Sequence, residues 1–192
     1  MLTRRRFALT AAAALSATAA RAQVTVPRYD VPAEMLPRRV RLDTALPPGE
    51  VHVFPDSFRL YWTQADGTAI RYFVGVGKPG LYEAGRFYVG AKKTLPSWMP
   101  TPGMIEREPE LYGPYEGVGL PGALDNPLGA AALYLFAPGR GDTFLRIHGT
   151  HEPHTIGTAV SNGCARLVND QMMDLYARVP MDTPVTLHPR RG

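Results

Sequence analysis

Short β-prone runs recur from Val51 onward: Val51-His-Val-Phe54, Arg59-Leu-Tyr-Trp62, residues 69–76, residues 86–91, residues 131–136, Thr143 to His148, and Pro184-Val-Thr-Leu187. Pro55-Asp56 is a turn signal, and Asp66-Gly67 between two such runs is a hairpin signature. The first four runs therefore predict an antiparallel meander. A helical period occurs once. Met172, Leu175, Tyr176 and Val179 stand at i, i+3, i+4 and i+7, which makes one apolar face, with Met173 beside it. Asn169 or Asp170 can cap that helix and Pro180 stops it. Residues 94–130, rich in Pro and Gly, follow neither period and read as a long loop with one irregular turn of helix. Long ordered loops in compact domains are often functional. Residues 23–48 carry several prolines and no period, and read as a lead-in arm, with regular structure beginning near Gly49. The expectation is a mainly β fold over residues 49–192: a β-sandwich or rolled mixed sheet with one packed helix and a long loop.

Composition agrees with a single folded domain. The chain has 192 residues, of which 45% are hydrophobic and 20% charged. The first 22 residues stand apart. Arg4, Arg5 and Arg6 precede an Ala-rich apolar stretch, and Ala20-Arg21-Ala22 is a small-x-small cleavage site, the plan of a secretory signal peptide. Thr3-Arg4-Arg5-Arg6-Phe7 also resembles a twin-arginine export signal. The apolar stretch is shorter than the roughly 20 residues that span a bilayer. Export to the periplasm is the expectation. The formal charge of +4 belongs to the whole chain. Arg4, Arg5, Arg6 and Arg21 lie in the leader, and the 17 basic residues that remain equal the 17 acidic ones. Nucleic-acid binding, which needs a basic footprint, gains no support.

Cys164 is the sole cysteine. In an oxidising compartment cysteines pair, so a lone thiol there is either a packed small hydrophobe or a reactive group. Its neighbours favour reactivity. His148 closes a predicted strand, and a 16-residue step containing Gly157 and Gly163 leads to Cys164. An imidazole in reach can take the thiol proton. Gly163 permits unusual backbone angles, and the amides of Asn162, Gly163 and Cys164 are candidate donors to an oxyanion. A metal site built from His148, His151 and His154 is the competing reading, since imidazoles ligate zinc. However, the Gly and Pro in His148-Gly-Thr-His-Glu-Pro-His154 forbid the helix that would align them. Trp98, Tyr112 and Tyr115 in the long loop are candidates either to touch a substrate or to pin the loop.

His148-Gly-Thr150, Ile156-Gly157 and Ser161-Asn-Gly-Cys-Ala-Arg-Leu167 together resemble the signature of the L,D-transpeptidases, the YkuD-type catalytic domain. The resemblance extends through Tyr72-Phe-Val-Gly-Val-Gly77, the stretch from Pro96 to Met104, Asn126-Pro-Leu-Gly129 with Ala132-Leu-Tyr-Leu135, Asn169-Asp170 and Asp174 to Val179. It covers roughly residues 48–188. It implies that Cys164 attacks a peptidoglycan stem peptide after meso-diaminopimelate, releases D-alanine and leaves a thioester. An amine then resolves the thioester to a 3→3 cross-link. His148 would be the base and then the acid, oriented by the Gly149 carbonyl. Arg166, Ser161 and Thr150 would line the substrate site. No cofactor is implied, and a carbapenem is expected to add to Cys164. A lipoprotein lysine or water remains open as acceptor, as does a non-catalytic wall-binding role. Many members carry His where this chain has Asn162. Asn is no base, so a hydrogen-bonding wall is expected there.

Overall fold

The computed structural model describes residues 24–191, so the expected leader lies outside the described residues. Eleven strands are present: β1 (Arg38–Arg41), β2 (Val51–Phe54), β3 (Arg59–Thr63), β4 (Thr68–Phe73), β5 (Val76–Gly77), β6 (Gly85–Thr94), β7 (Ala131–Ala137), β8 (Gly141–His148), β9 (Ala159–Ser161), β10 (Ala165–Arg166) and β11 (Pro184–Leu187). Beside them stand helices α1 (Pro102–Arg107), α2 (Pro109–Tyr112) and α3 (Asn169–Arg178), with single 3-10 turns at Ala33–Met35, Gly113–Tyr115 and Pro153–Thr155. Nine strands form one mixed sheet in the order β1-β4-β3-β2-β11-β6-β7-β8-β10, and β5 pairs with β9 beside it.

The mainly β architecture with one substantial packed helix matches the expectation, with instructive departures. Strands β2, β3 and β4 form the antiparallel meander. Strand β6 leaves it and pairs with β7 and the C-terminal β11. The free edge of β4 is taken by β1, so regular structure begins at Arg38, ahead of Gly49. The run 69–76 breaks after Phe73, because Gly75 pairs with Arg166 instead of continuing the ladder.

Alternation places Val51, Val53, Leu60, Tyr72, Phe87, Val89, Leu133, Leu135, Val185 and Leu187 in one core. Met172, Leu175 and Val179 bring α3 onto it. The helix begins at Asn169 itself, without a side-chain cap. At its other end Lys92 Nζ donates to the carbonyls of Tyr176 (2.7 Å) and Val179 (2.5 Å). A cation there satisfies carbonyls that have no partner within the helix.

The long loop holds two short helices where one irregular turn is expected. Thr101 caps α1, its Oγ1 accepting from Met104 N at 3.3 Å, and Pro102 fits the first turn. Asn126 anchors the loop's base. It donates to the carbonyls of Pro96 and Pro121 and accepts from the amides of Leu128 and Gly129.

Candidate active site

Strand β8 delivers His148 at its last position. The ring is 5% exposed, and its Nδ1 lies 2.5 Å from the Gly149 carbonyl. A carbonyl only accepts, so Nδ1 carries the proton and Nε2 keeps its lone pair. Gly149 has to be glycine. A Cβ there would come within 2.1 Å of Asn169 Oδ1. Burial lowers the imidazole pKa to about 3, against a smaller opposing effect of the Gly149 hydrogen bond. The ring is neutral at physiological pH.

Strand β10 runs parallel to β8 with Ala165 opposite Ile147 and Arg166 opposite His148. That register brings Cys164 back to the end of β8 after the 16-residue excursion. Cys164 Sγ sits 3.9 Å from the Phe144 carbonyl. Burial raises the thiol's pKa, and a backbone hydrogen bond at Arg146 with the charges of Arg146 and Arg166 pulls it down by less. The same desolvation therefore favours the uncharged form of both groups, thiol and imidazole.

The turn from Ser161 to Cys164 is braced from within. Ser161 Oγ donates to the Cys164 carbonyl at 2.6 Å and accepts from Gly163 N at 3.3 Å. The Gly163 amide is thereby engaged, which corrects its expected place among the oxyanion donors. Gly163 has φ +124°, and a Cβ there would lie 2.9 Å from the Leu81 carbonyl. Asn162 faces the long loop. Its Nδ2 donates to Tyr112 Oη at 2.9 Å and its Oδ1 accepts from Arg107 at 3.1 Å. A second tie joins the same elements: Lys78 N donates to the Ser161 carbonyl, while Lys78 Nζ meets Glu108 at 3.1 Å. The polar wall expected at position 162 is in place, and it latches α1 and α2 to the turn that carries Cys164.

A cavity of about 440 Å³ opens where these parts meet. Cys164, His148, Ser161, Asn162 and Arg166 line one side, and Trp98, Tyr112 and Tyr115 the other. The Trp98 ring packs at 6.2 Å from Tyr112 and 5.7 Å from Tyr115, so the aromatics both pin the loop and face the cavity. One Arg166 nitrogen, Nη1, is 3.0 Å from Glu152, while its buried Nε and Nη2 have no protein partner among the described residues.

Not every expected residue reaches this cavity. Thr150 is 2% exposed, and its Oγ1 accepts from Glu152 N at 3.0 Å, so it shapes the turn and does not line the cavity as expected. His151 lines the cavity, whereas His154 lies in the turn Pro153–Thr155. Among the described residues no three His, Cys, Asp or Glu side chains gather as metal ligands.

Two residues have roles that the sequence did not show: Asn169, read there only as a helix cap and within the resemblance, and Arg146. Asn169 Oδ1 accepts from Ala130 N (2.9 Å) and Thr150 N (3.1 Å), tying α3 to the loop base and to the turn after His148. Arg146 grips Asp142 through two bonds, 2.6 and 2.9 Å. In a regular strand those residues would stand about 13 Å apart. A register irregularity between β7 and β8 closes the gap, and Phe144 there has φ +61°, rare for a bulky side chain. The signal for Asn169 was its place at a helix start. For Arg146 nothing in the local pattern marks the bulge.

Residues 48–187 match the family model of the L,D-transpeptidase catalytic domain, YkuD. The probable L,D-transpeptidase ErfK/SrfK of Escherichia coli is 36% identical over 133 residues, covering 67% of this chain and 40% of that protein. A putative L,D-transpeptidase of Fuscovulum blasticum is 38% identical over 105 residues, covering 55% of this chain and 50% of its own length. The chain thus spans half or less of these curated relatives. Among solved structures, a probable carnitine operon oxidoreductase from Brucella melitensis is 42% identical, with TM-score 0.55, covering 80% of this chain and 93% of that one. Its name speaks of another chemistry and stays with that protein. The Ldtfm–avibactam carbamoyl enzyme shares the fold at 18% identity, with TM-score 0.56 over 76% of this chain and 51% of that one. From the match over residues 48–187, with His148 and Cys164 facing one cavity, the chain belongs to the L,D-transpeptidase catalytic domain family.

Proposed function

We propose that this chain is a periplasmic cysteine acyltransferase that cross-links peptidoglycan stem peptides, with Cys164 as nucleophile and His148 as general base and acid. The observation that carries the reading is the Nδ1 to Gly149 bond, which leaves Nε2 as the basic atom in the cavity shared with Cys164.

The chemistry follows from a neutral pair. As Sγ attacks the carbonyl after meso-diaminopimelate, its proton passes to His148 Nε2, and the Gly149 carbonyl stabilises the imidazolium that forms. The amides of Cys164 and Asn162 meet the oxyanion, Gly163 being engaged with Ser161. The C–N bond breaks, Nε2–H protonates the departing D-alanine amine, and a thioester remains. A neutral amine then attacks that thioester carbonyl and gives its proton to Nε2. The C–S bond breaks, and the proton returns to sulfur. Arg166, with two unpartnered buried N–H positions on the cavity wall, matches a stem carboxylate. A carbapenem carbonyl is expected to acylate the same sulfur, as avibactam carbamoylates the structural relative.

The test is to incubate the purified chain with soluble tetrapeptide stems and weigh the products. Dimers heavier than two stems less one D-alanine are not expected, and dimers of that mass are. Tripeptides alone mean that water is the acceptor. No turnover of tetrapeptide by folded protein contradicts the reading.

A further inference from the structure

Strand register sets a second feature well away from Cys164. Arg38, Arg71, Tyr61, His52, Thr186 and Arg86 stand directly opposite one another across six neighbouring strands. Side chains at paired positions share a face, so these form one row on the face opposite the core residues Val51, Val53 and Tyr72. Arg59, two places along β3 from Tyr61, joins them. Its guanidinium lies 3.3 Å from the centroid of the Phe73 ring, and that of Arg71 lies 5.0 Å from the same ring. Arg38 and Arg86 are exposed, and Arg59 and Arg71 partly so. Among the described residues, none of the four is ion-paired to a carboxylate. Arg71 Nε is buried and unpartnered, while its Nη2 donates to the Glu34 carbonyl at 2.7 Å. Burial lowers the proton affinity of Arg59 and of Arg71, and neighbouring arginines add to it: Arg71 and Arg38 at Arg59, and Arg38 at Arg71.

Arg38, Arg59 and Arg71 gather at one end of the row without a carboxylate partner among the described residues, and Arg86 stands at the other end; like charges so placed favour an anionic partner. We propose that this row is a docking surface for the carboxylate-bearing peptidoglycan polymer, holding the insoluble substrate while the cavity at Cys164 processes its stems. The proposal rests on the peptidoglycan reading above. Guanidinium forks match carboxylates. The exposed ends of the row, Arg38 and Arg86, lie five inter-strand steps apart, about 24 Å at roughly 4.8 Å each, with His52 buried between them; contact at both ends suits an extended polymer better than a small molecule. Each exposed contact is weak, so attachment comes from several acting together and weakens with salt.

Cosedimentation with insoluble sacculi tests it, using wild type and the double variant R38Q/R86Q. Arg59 and Arg71 are left in place because they also hold the carbonyls of Ser57, Phe58 and Glu34. Wild type should pellet, less so as salt rises, and the double variant's apparent affinity should fall about fivefold. Its melting temperature and its rate on soluble tetrapeptides should stay at wild-type values. If the double variant proves unstable, R38E and R86E, both at exposed positions, should each weaken pelleting. Equal pelleting of wild type and variants overturns the proposal. So does a wild type that stays in the supernatant, or one that binds phosphatidylglycerol vesicles through these arginines and ignores sacculi. Arginine-dependent pelleting by a chain that turns over no soluble stem keeps this surface and removes the proposed reaction.

Discussion

Cys164 and His148 meet as a thiol and a neutral imidazole because one burial moves their proton affinities in opposite directions. The consequence reaches beyond catalysis. The folded chain holds His148 at about 3, whereas an unfolded histidine takes a proton near 6.5. Below pH 6.5 the unfolded state therefore binds a proton that the folded state refuses. This contribution to stability is complete above about pH 6.5 and is lost as pH falls toward 3. His52, held at about 4 by burial and by the neighbouring His188 and Arg86, acts in the same direction. Urea midpoints should decline between pH 6.5 and pH 4, and the variant H52Q/H148Q should flatten that decline. An unchanged slope in the double variant would contradict the burial of neutral imidazoles. At this scale Cys164 and His148 were legible as the proposed pair, since a lone thiol and a strand-end histidine stand out in any sequence. The Gly163 amide was not, because its engagement depends on a serine hydroxyl whose direction only the folded turn sets.

Three elements converge on Asn169: the start of α3, the turn after His148 and the base of the long loop. Its Oδ1 serves the amides of Ala130 and Thr150 together. Asn169→Ala leaves both donors without that acceptor and should cost about 2 kcal/mol of stability, with a slower acyl transfer as His148 loses its fixed setting. Chemical denaturation and single-turnover rates check this, and a change below about 0.5 kcal/mol would show the junction to be held otherwise. Strands of four residues or more, such as β2, β3, β7, β8 and β11, and helix α3 were legible, apart from β1 in the proline-rich arm. Strands β5, β9 and β10 have two or three residues each and no readable period. Yet β10 carries the register that brings Cys164 to His148. Its existence depends on partners distant in sequence, which a local pattern does not contain. The resemblance of the flanking motif supplied what periodicity lacked.

Across the whole molecule, the arm works as part of the catalytic domain. Val31 and Met35 pack on Phe73, Ile156 and Val168, and Gln171 donates to the Met35 carbonyl at 3.3 Å. Ile156 belongs to the excursion between His148 and Cys164, so the arm backs the loop that joins the two. Removing residues 24–37 should lower the melting temperature by about 5 °C and slow acylation as well. Calorimetry and a burst measurement check both, and an unaffected melt would mean that the arm is only attached. The arm's prolines hid this role, since its contacts carry no period of their own.

In the proposed mechanism the stem peptide becomes covalently attached to Cys164. Intact-protein mass spectrometry after brief mixing with a tetrapeptide stem, followed by peptide mapping, tests it most directly. The predicted result is one added acyl group, lighter than the stem by the released D-alanine, on the peptide containing Cys164 and absent from the Cys164→Ala variant. Adduct on another residue, or 3→3 dimers still formed by folded Cys164→Ala protein, would contradict it.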